Sequence, residues 1–246
     1  MRSTYFYTVA RIQLIIVFLG FAPSFYLKFL VAESPFYPKG LPLPHIIHGV
    51  ILTIWYIFLV MQTRWITVNK LSIHKIMGRF GAVWAVLVLL STGWVIYLLP
   101  SRLLALAKDT NSTVEEIEPS LVQILWLDIF MSILFIAFIS IAILQRKTAH
   151  IHKRLMLYAG IVFLFAAVFR LGGTVGYLLN QPTTGSLIVF VILILLTSSL
   201  LIHDYRQHKK IYPVSWICFG LYWLCMVMSF VLQKTDFGIG ILQYWY

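Results

Sequence analysis

Charge is scarce in this chain. Only 11% of its 246 residues are charged while 61% are hydrophobic, and its mean hydropathy is +0.90; a soluble domain holds roughly 45–50% apolar residues. That scarcity excludes a soluble domain of any size, because no stretch carries enough polar surface to coat one. Acidic residues are scarcer still, 8 against 19 lysines and arginines. The resulting formal charge of +11 invites comparison with nucleic-acid binders, but nearly all the basic residues sit at alternate ends of the apolar runs, and no nucleic-acid partner is expected. Cysteine is nearly absent. Cys218 and Cys225 share one apolar run, about 10.5 Å apart along a helix axis, too far for a disulfide. A cleavable leader is not expected, since the first apolar run is long and has no small-residue cleavage motif.

What the chain does have is a series of apolar runs, at about 9–31, 45–66, 79–99, 121–144, 155–179, 186–203 and 213–232. Runs of about 18 or more such residues are long enough to cross a hydrocarbon layer roughly 30 Å thick. They predict an all-α, seven-transmembrane-helix bundle forming a single integral membrane domain over residues 1–246, with the lipid bilayer as its surroundings. The basic residues then fall mostly on one side. Thirteen (Arg2, Arg11, Arg64, Lys70, Lys75, Arg79, Arg146, Lys147, Lys153, Arg154, Arg206, Lys209 and Lys210) flank the inner ends, against five outside (Lys28, Lys39, Arg102, Lys108 and Lys234). By the positive-inside rule the N-terminus is cytoplasmic and the C-terminus outside, in a bacterial inner membrane. Pro23 is expected to kink the first helix and Pro213 to sit in the first turn of the last span. Gly172-Gly173 is the expected break within a span. Thr113 and Glu116 form a capping-box pattern that predicts a short surface helix over the outer mouth, after a proline-rich outer loop at 32–44.

Ionisable groups inside hydrocarbon are costly and mark candidate sites. Asp128 and Arg170 lie at matching depth on consecutive antiparallel spans, roughly 12–14 Å from the outer end, and are expected to form an ion pair. His48, Trp55 and Gln62 recur every seven residues and share one face of the second span; His45, three residues before His48, could share a ligand with it. At the inner boundary the sequence brings His74, His150, His152 and His203, with Asp204, to one depth. This set could hold a transition metal (Zn, Fe or Cu) or a haem b, and Gly78 and Gly81 would leave room for a flat cofactor. Three local echoes, QTRWITVNKLSIHK, QRKTAHIHK and QHKK, place histidine beside lysine at these edges. Such pairs serve equally as interfacial anchors, with lysine snorkelling to the headgroups.

His48, Gln62, HKIMGR (74–79) and HKRLMLYAGIVFLFAAVFR (152–170), in that order, resemble a family of bacterial predicted membrane proteins defined by a domain of unknown function. Its motifs read His, Gln, HR..GR and H..WM.R..R. The resemblance covers roughly residues 45–170, with Lys75 where arginine is common and Leu155-Met156 where Trp-Met is common. It implies a multi-helix bundle and no particular activity. There is also a distant similarity to b-type transmembrane cytochromes, in the histidines near the ends of consecutive helices. The sequence therefore points first to a metal- or haem-dependent membrane protein, redox or otherwise, with His48, Gln62, Asp128 and Arg170 lining a polar cavity. A small-solute carrier or sensor built on Asp128 and Arg170, and an assembly factor or subunit of a membrane complex, are the alternatives. The substrate would be a small molecule or a lipid; whether the protein is an enzyme stays open.

Overall fold

The structure is a computed structural model that describes residues 4–30, 41–102 and 113–243. Among these it is all-helical. Helix α1 spans Tyr5–Phe21 and runs into a π-helical turn at Ala22–Tyr26 that contains Pro23, where the proline removes a ladder N–H and bends the chain. Helix α2 is Leu43–Thr67, α3 Leu71–Tyr97, α4 Val114–Leu144, α5 Ala149–Val162, α6 Leu164–Leu178, α7 Pro182–His208, α8 Pro213–Leu232 and α9 Asp236–Gln243. Pro213 opens α8, where its missing N–H is no loss. Asn69 and Asn180 adopt positive φ, 61° and 52°, and reverse the chain tightly after α2 and α6 as left-handed helix ends do.

Six helical stretches among the described residues are long and apolar enough to cross a membrane: Tyr5–Tyr26, Leu43–Thr67, Leu71–Tyr97, Glu118–Leu144, Pro182–His208 and Pro213–Leu232. Helices α5 and α6, bent by 44° against each other, make a seventh if they are one broken span. The molecule is thus a multi-pass helical membrane protein. The capping-box segment differs from expectation: rather than a separate surface helix, Val114 begins a helix that continues through Pro119 to Leu144. Most of the proline-rich outer loop, residues 31–40, lies outside the described residues.

The bend between α5 and α6 falls at Phe163 (φ −92°, ψ 2°), not at Gly172-Gly173. Its cause lies in two other helices. The Tyr56 hydroxyl of α2 donates to Gly160 O at 2.8 Å, the carbonyl that an unbroken helix would offer to the N–H of Leu164. Gln13 Nε2 of α1 donates to Leu157 O at 3.3 Å. Side chains inserted into the ladder bend a helix, and Gly160 makes the insertion possible, because a Cβ there would run into the Gln13 amide and come within 2.8 Å of Leu59 Cδ1. Residues Leu157 through Val162 are all buried, since α5 packs against α1, α4 and α8 and forms the centre of the bundle.

The glycines after the break have another use. A Cβ on Gly185 of α7 would lie 3.2 Å from Gly176 Cα and 2.5 Å from the Gly172 carbonyl oxygen, so α6 and α7 touch backbone to backbone as small-residue crossings in membranes do. Gly185→Leu is expected to destabilise the protein by about 1–3 kcal/mol through overpacking, read as a lower Tm in detergent; an unchanged Tm would mean this crossing is looser than described.

Candidate functional site

Helices α2, α3 and α4 and the α5–α6 junction converge on a cavity of about 50 Å³, lined by His48 and Leu52 of α2, Thr92 and Val95 of α3, Leu127, Asp128 and Met131 of α4, and Val162, Phe163, Phe165 and Ala166 at the bend. At about 1.5 Å per residue, His48, Asp128 and Phe163 stand about 21–28 Å from the inner ends of their helices, which is why they meet. Hydrogen accounting fixes the imidazole. Ser91 Oγ donates its one hydrogen to Val88 O at 2.9 Å, so at 3.0 Å it accepts from His48 Nδ1, and neutral His48 keeps a bare Nε2. Thr92 Oγ1 likewise donates to Val88 O at 2.8 Å and turns only lone pairs outward.

The expected Asp128–Arg170 ion pair is not formed. Arg170 donates to Ser24 Oγ at 3.3 Å and lies 5.0 Å from the centre of the Phe21 ring, because the bend at Phe163 swings α6 toward α1. Asp128 lines the cavity instead. Sequence reasoning named His48 and Asp128 but missed Ser91 and Thr92; adjacent hydroxyls in an apolar run were the available signal.

The inner set divides. His74 and His152 approach with ring centres 6.3 Å apart and planes at 85°. His152 Nδ1 donates to Ala142 O at 2.8 Å, leaving its Nε2 bare. The Gln62 amide, turned to satisfy its surroundings, donates to His74 Nδ1 at 2.6 Å and to His74 O at 3.2 Å, while its oxygen accepts from Gly78 N–H at 3.1 Å. This puts the proton of neutral His74 on Nε2, an assignment made from the hydrogen-bond network. The room expected beside Gly78 and Gly81 is taken: the Phe58 ring lies 3.0 Å from where a Gly81 Cβ would be, and Gly78 faces Gln62.

His203 goes elsewhere, stacked on Tyr5 with ring centres 3.9 Å apart. His150 lies beside Tyr212 at 5.3 Å. Asp204 is occupied by Arg154, both side chains fully buried. Arg154 Nε donates to Asp204 Oδ2 at 3.0 Å, its Nη2 pairs with Oδ1, and its Nη1 donates to His150 O at 2.7 Å. Asp204 Oδ2 also accepts from Ser215 Oγ at 2.6 Å, and the guanidinium lies over the Tyr212 ring at 3.9 Å. Among the described residues no three His, Cys, Asp or Glu side chains come together as a metal-ligand group. Asp204 is a lone acid in a basic stretch, with Arg206, Lys209 and Lys210 close after it, and a carboxylate so placed takes the base that can be buried with it; that was the signal to read.

The fold and cavity define a class, a polytopic helical membrane protein with a polar chamber at the bend between α5 and α6. No family model, curated protein or solved structure matches the chain. For the inner pair, Arg154→Met should lower stability by about 3–5 kcal/mol by leaving Asp204 buried without its counter-charge, and Arg154→Met combined with Asp204→Leu should recover most of it. Thermal unfolding in detergent measures both; a single variant as stable as the parent would show the pair contributes nothing.

Proposed function

We propose that this multi-pass membrane protein is a small-solute carrier of the bacterial inner membrane, its N-terminus cytoplasmic and its C-terminus outside, with the cavity at the break of the fifth span as its transit site. The observation that carries this reading is that break and cavity coincide: Val162, Phe163, Phe165 and Ala166 line the chamber that His48 and Asp128 enter from other helices. Carriers place their sites at discontinuous helices near mid-membrane, where backbone irregularity is tolerated because it borders a cavity. Membership of the bacterial family that the sequence resembles belongs to the same proposal, and two of the segments behind that resemblance, His48 and 152–170, reach this chamber. The charged element of the site is Asp128 with His48 rather than Asp128 with Arg170.

Proteoliposomes loaded with a pH-sensitive dye and given an ion gradient test it. The wild type is expected to move ions or protons at a rate at least about tenfold above protein-free vesicles, and Asp128→Asn to remove that flux; each tenfold loss corresponds to about 1.4 kcal/mol. Equal flux in both proteins would rule out this cavity as the transit site.

A second reading, a metal-dependent redox protein, is favoured by one observation. The bare Nε2 of His152 and its Nδ1 hydrogen bond to a carbonyl form the arrangement that orients imidazole ligands to metals. Elemental analysis with an absorption spectrum decides it: stoichiometric iron, copper or zinc that disappears in His152→Ala supports this reading, and metal content unaffected by the substitution sinks it.

A further inference from the structure

The outer chamber has a one-sided chemistry. Its volume of about 50 Å³ is several times the roughly 10–15 Å³ that one ordered water requires, so it holds a few waters or one ion. Pockets for organic ligands run to roughly 300–1,000 Å³. Its polar lining consists of His48, Thr92 and Asp128. The hydrogen of Thr92 Oγ1 is committed to Val88 O, and that of His48 Nδ1 to Ser91 Oγ, whose own hydrogen also goes to Val88 O. Asp128 as a carboxylate has none to give. What remains for an occupant is an imidazole nitrogen, a hydroxyl oxygen and two carboxylate oxygens, all lone pairs. Such a chamber repels an anion and cannot satisfy another acceptor. It matches a cation.

The kind of cation follows from the donors. Magnesium and calcium take oxygen ligands, and magnesium keeps most of its water. An imidazole nitrogen beside a carboxylate suits the later first-row metals, and Met131 also lines the chamber. We infer that the chamber binds one divalent transition-metal cation through His48 Nε2, the Asp128 carboxylate and Thr92 Oγ1, with water completing its shell. Ser91 is the positioning residue that holds the imidazole with Nε2 turned inward, as outer hydrogen-bond partners do at metal sites. With only two of its protein ligands being His or Asp, the site is weaker than the four-ligand cages of structural zinc, as an ion in transit requires. This inference rests on the carrier reading and names its solute.

Equilibrium dialysis of the full-length protein in detergent against zinc, with magnesium as the competing control, tests binding without any need for transport. One zinc per chain is expected, undisturbed by excess magnesium. His48→Ala and Asp128→Asn should each weaken it at least tenfold, and Ser91→Ala, which keeps all the ligands, by roughly 10–100-fold. His203→Ala should leave it unchanged. Ser91→Ala removes one hydroxyl and keeps the test open if the ligand variants fail to fold. Absence of zinc binding by the wild type, displacement by magnesium, or zinc retained at full affinity in both Ser91→Ala and Asp128→Asn would overturn the inference. Zinc binding without flux in vesicles would instead sink the carrier reading and leave the site standing; proton flux without zinc binding would do the reverse.

Discussion

A carbonyl in hydrocarbon has no water to turn to, and the whole arrangement here depends on how two such carbonyls on α5 are served. Leu157 O takes a hydrogen bond from Gln13 and Gly160 O one from Tyr56. Satisfied from outside, the helix no longer needs its own next turn to supply those bonds, and it can change direction at Phe163 at little cost. The bend is what turns α6 toward α1, takes Arg170 away from Asp128 and leaves a chamber where a straight span would have filled the space.

The two ends of the fifth span are then held by different physics. Its inner half is fixed by a buried, multiply hydrogen-bonded ion pair, Arg154 with Asp204, supported by Ser215 and the face of Tyr212. A pair of this kind is a poor source of net stability but a strict one for geometry, because neither partner can move without stranding the other charge. Its outer half is fixed by backbone contact, through Gly172, Gly176 and Gly185. Between a directional clamp at one end and a steric one at the other, the chain bends at Phe163, and the polar chamber lies against that bend.

Much of the fold was legible in the residues. Hydropathy is a local property, so the apolar runs appear as helices close to the expected boundaries, and Pro23 and Pro213 act where their ring geometry requires. The site was legible in part. His48 and Asp128 stood out because a titratable group in an apolar run is conspicuous on its own, and Gln62, His74 and His152 do meet. Equal depth was a poor guide to pairing: it fixes one coordinate and leaves the rotation of each helix undetermined. His203, His150 and Asp204 share the depth of His74 but face Tyr5, Tyr212 and Arg154. The glycines misled for a related reason, since a missing Cβ signals close approach without saying of what.

The sequence by itself determined that this is a chain of membrane-length helices with basic residues gathered at alternate ends, because those properties are sums over neighbouring residues. Only the tertiary structure decided which acid meets which base, where the chain bends between α5 and α6, and that His48, Thr92 and Asp128 line one cavity. Those outcomes depend on single hydrogens donated between helices far apart in the chain, 144 positions for Gln13 and Leu157, and no local pattern encodes the rotation that brings them together.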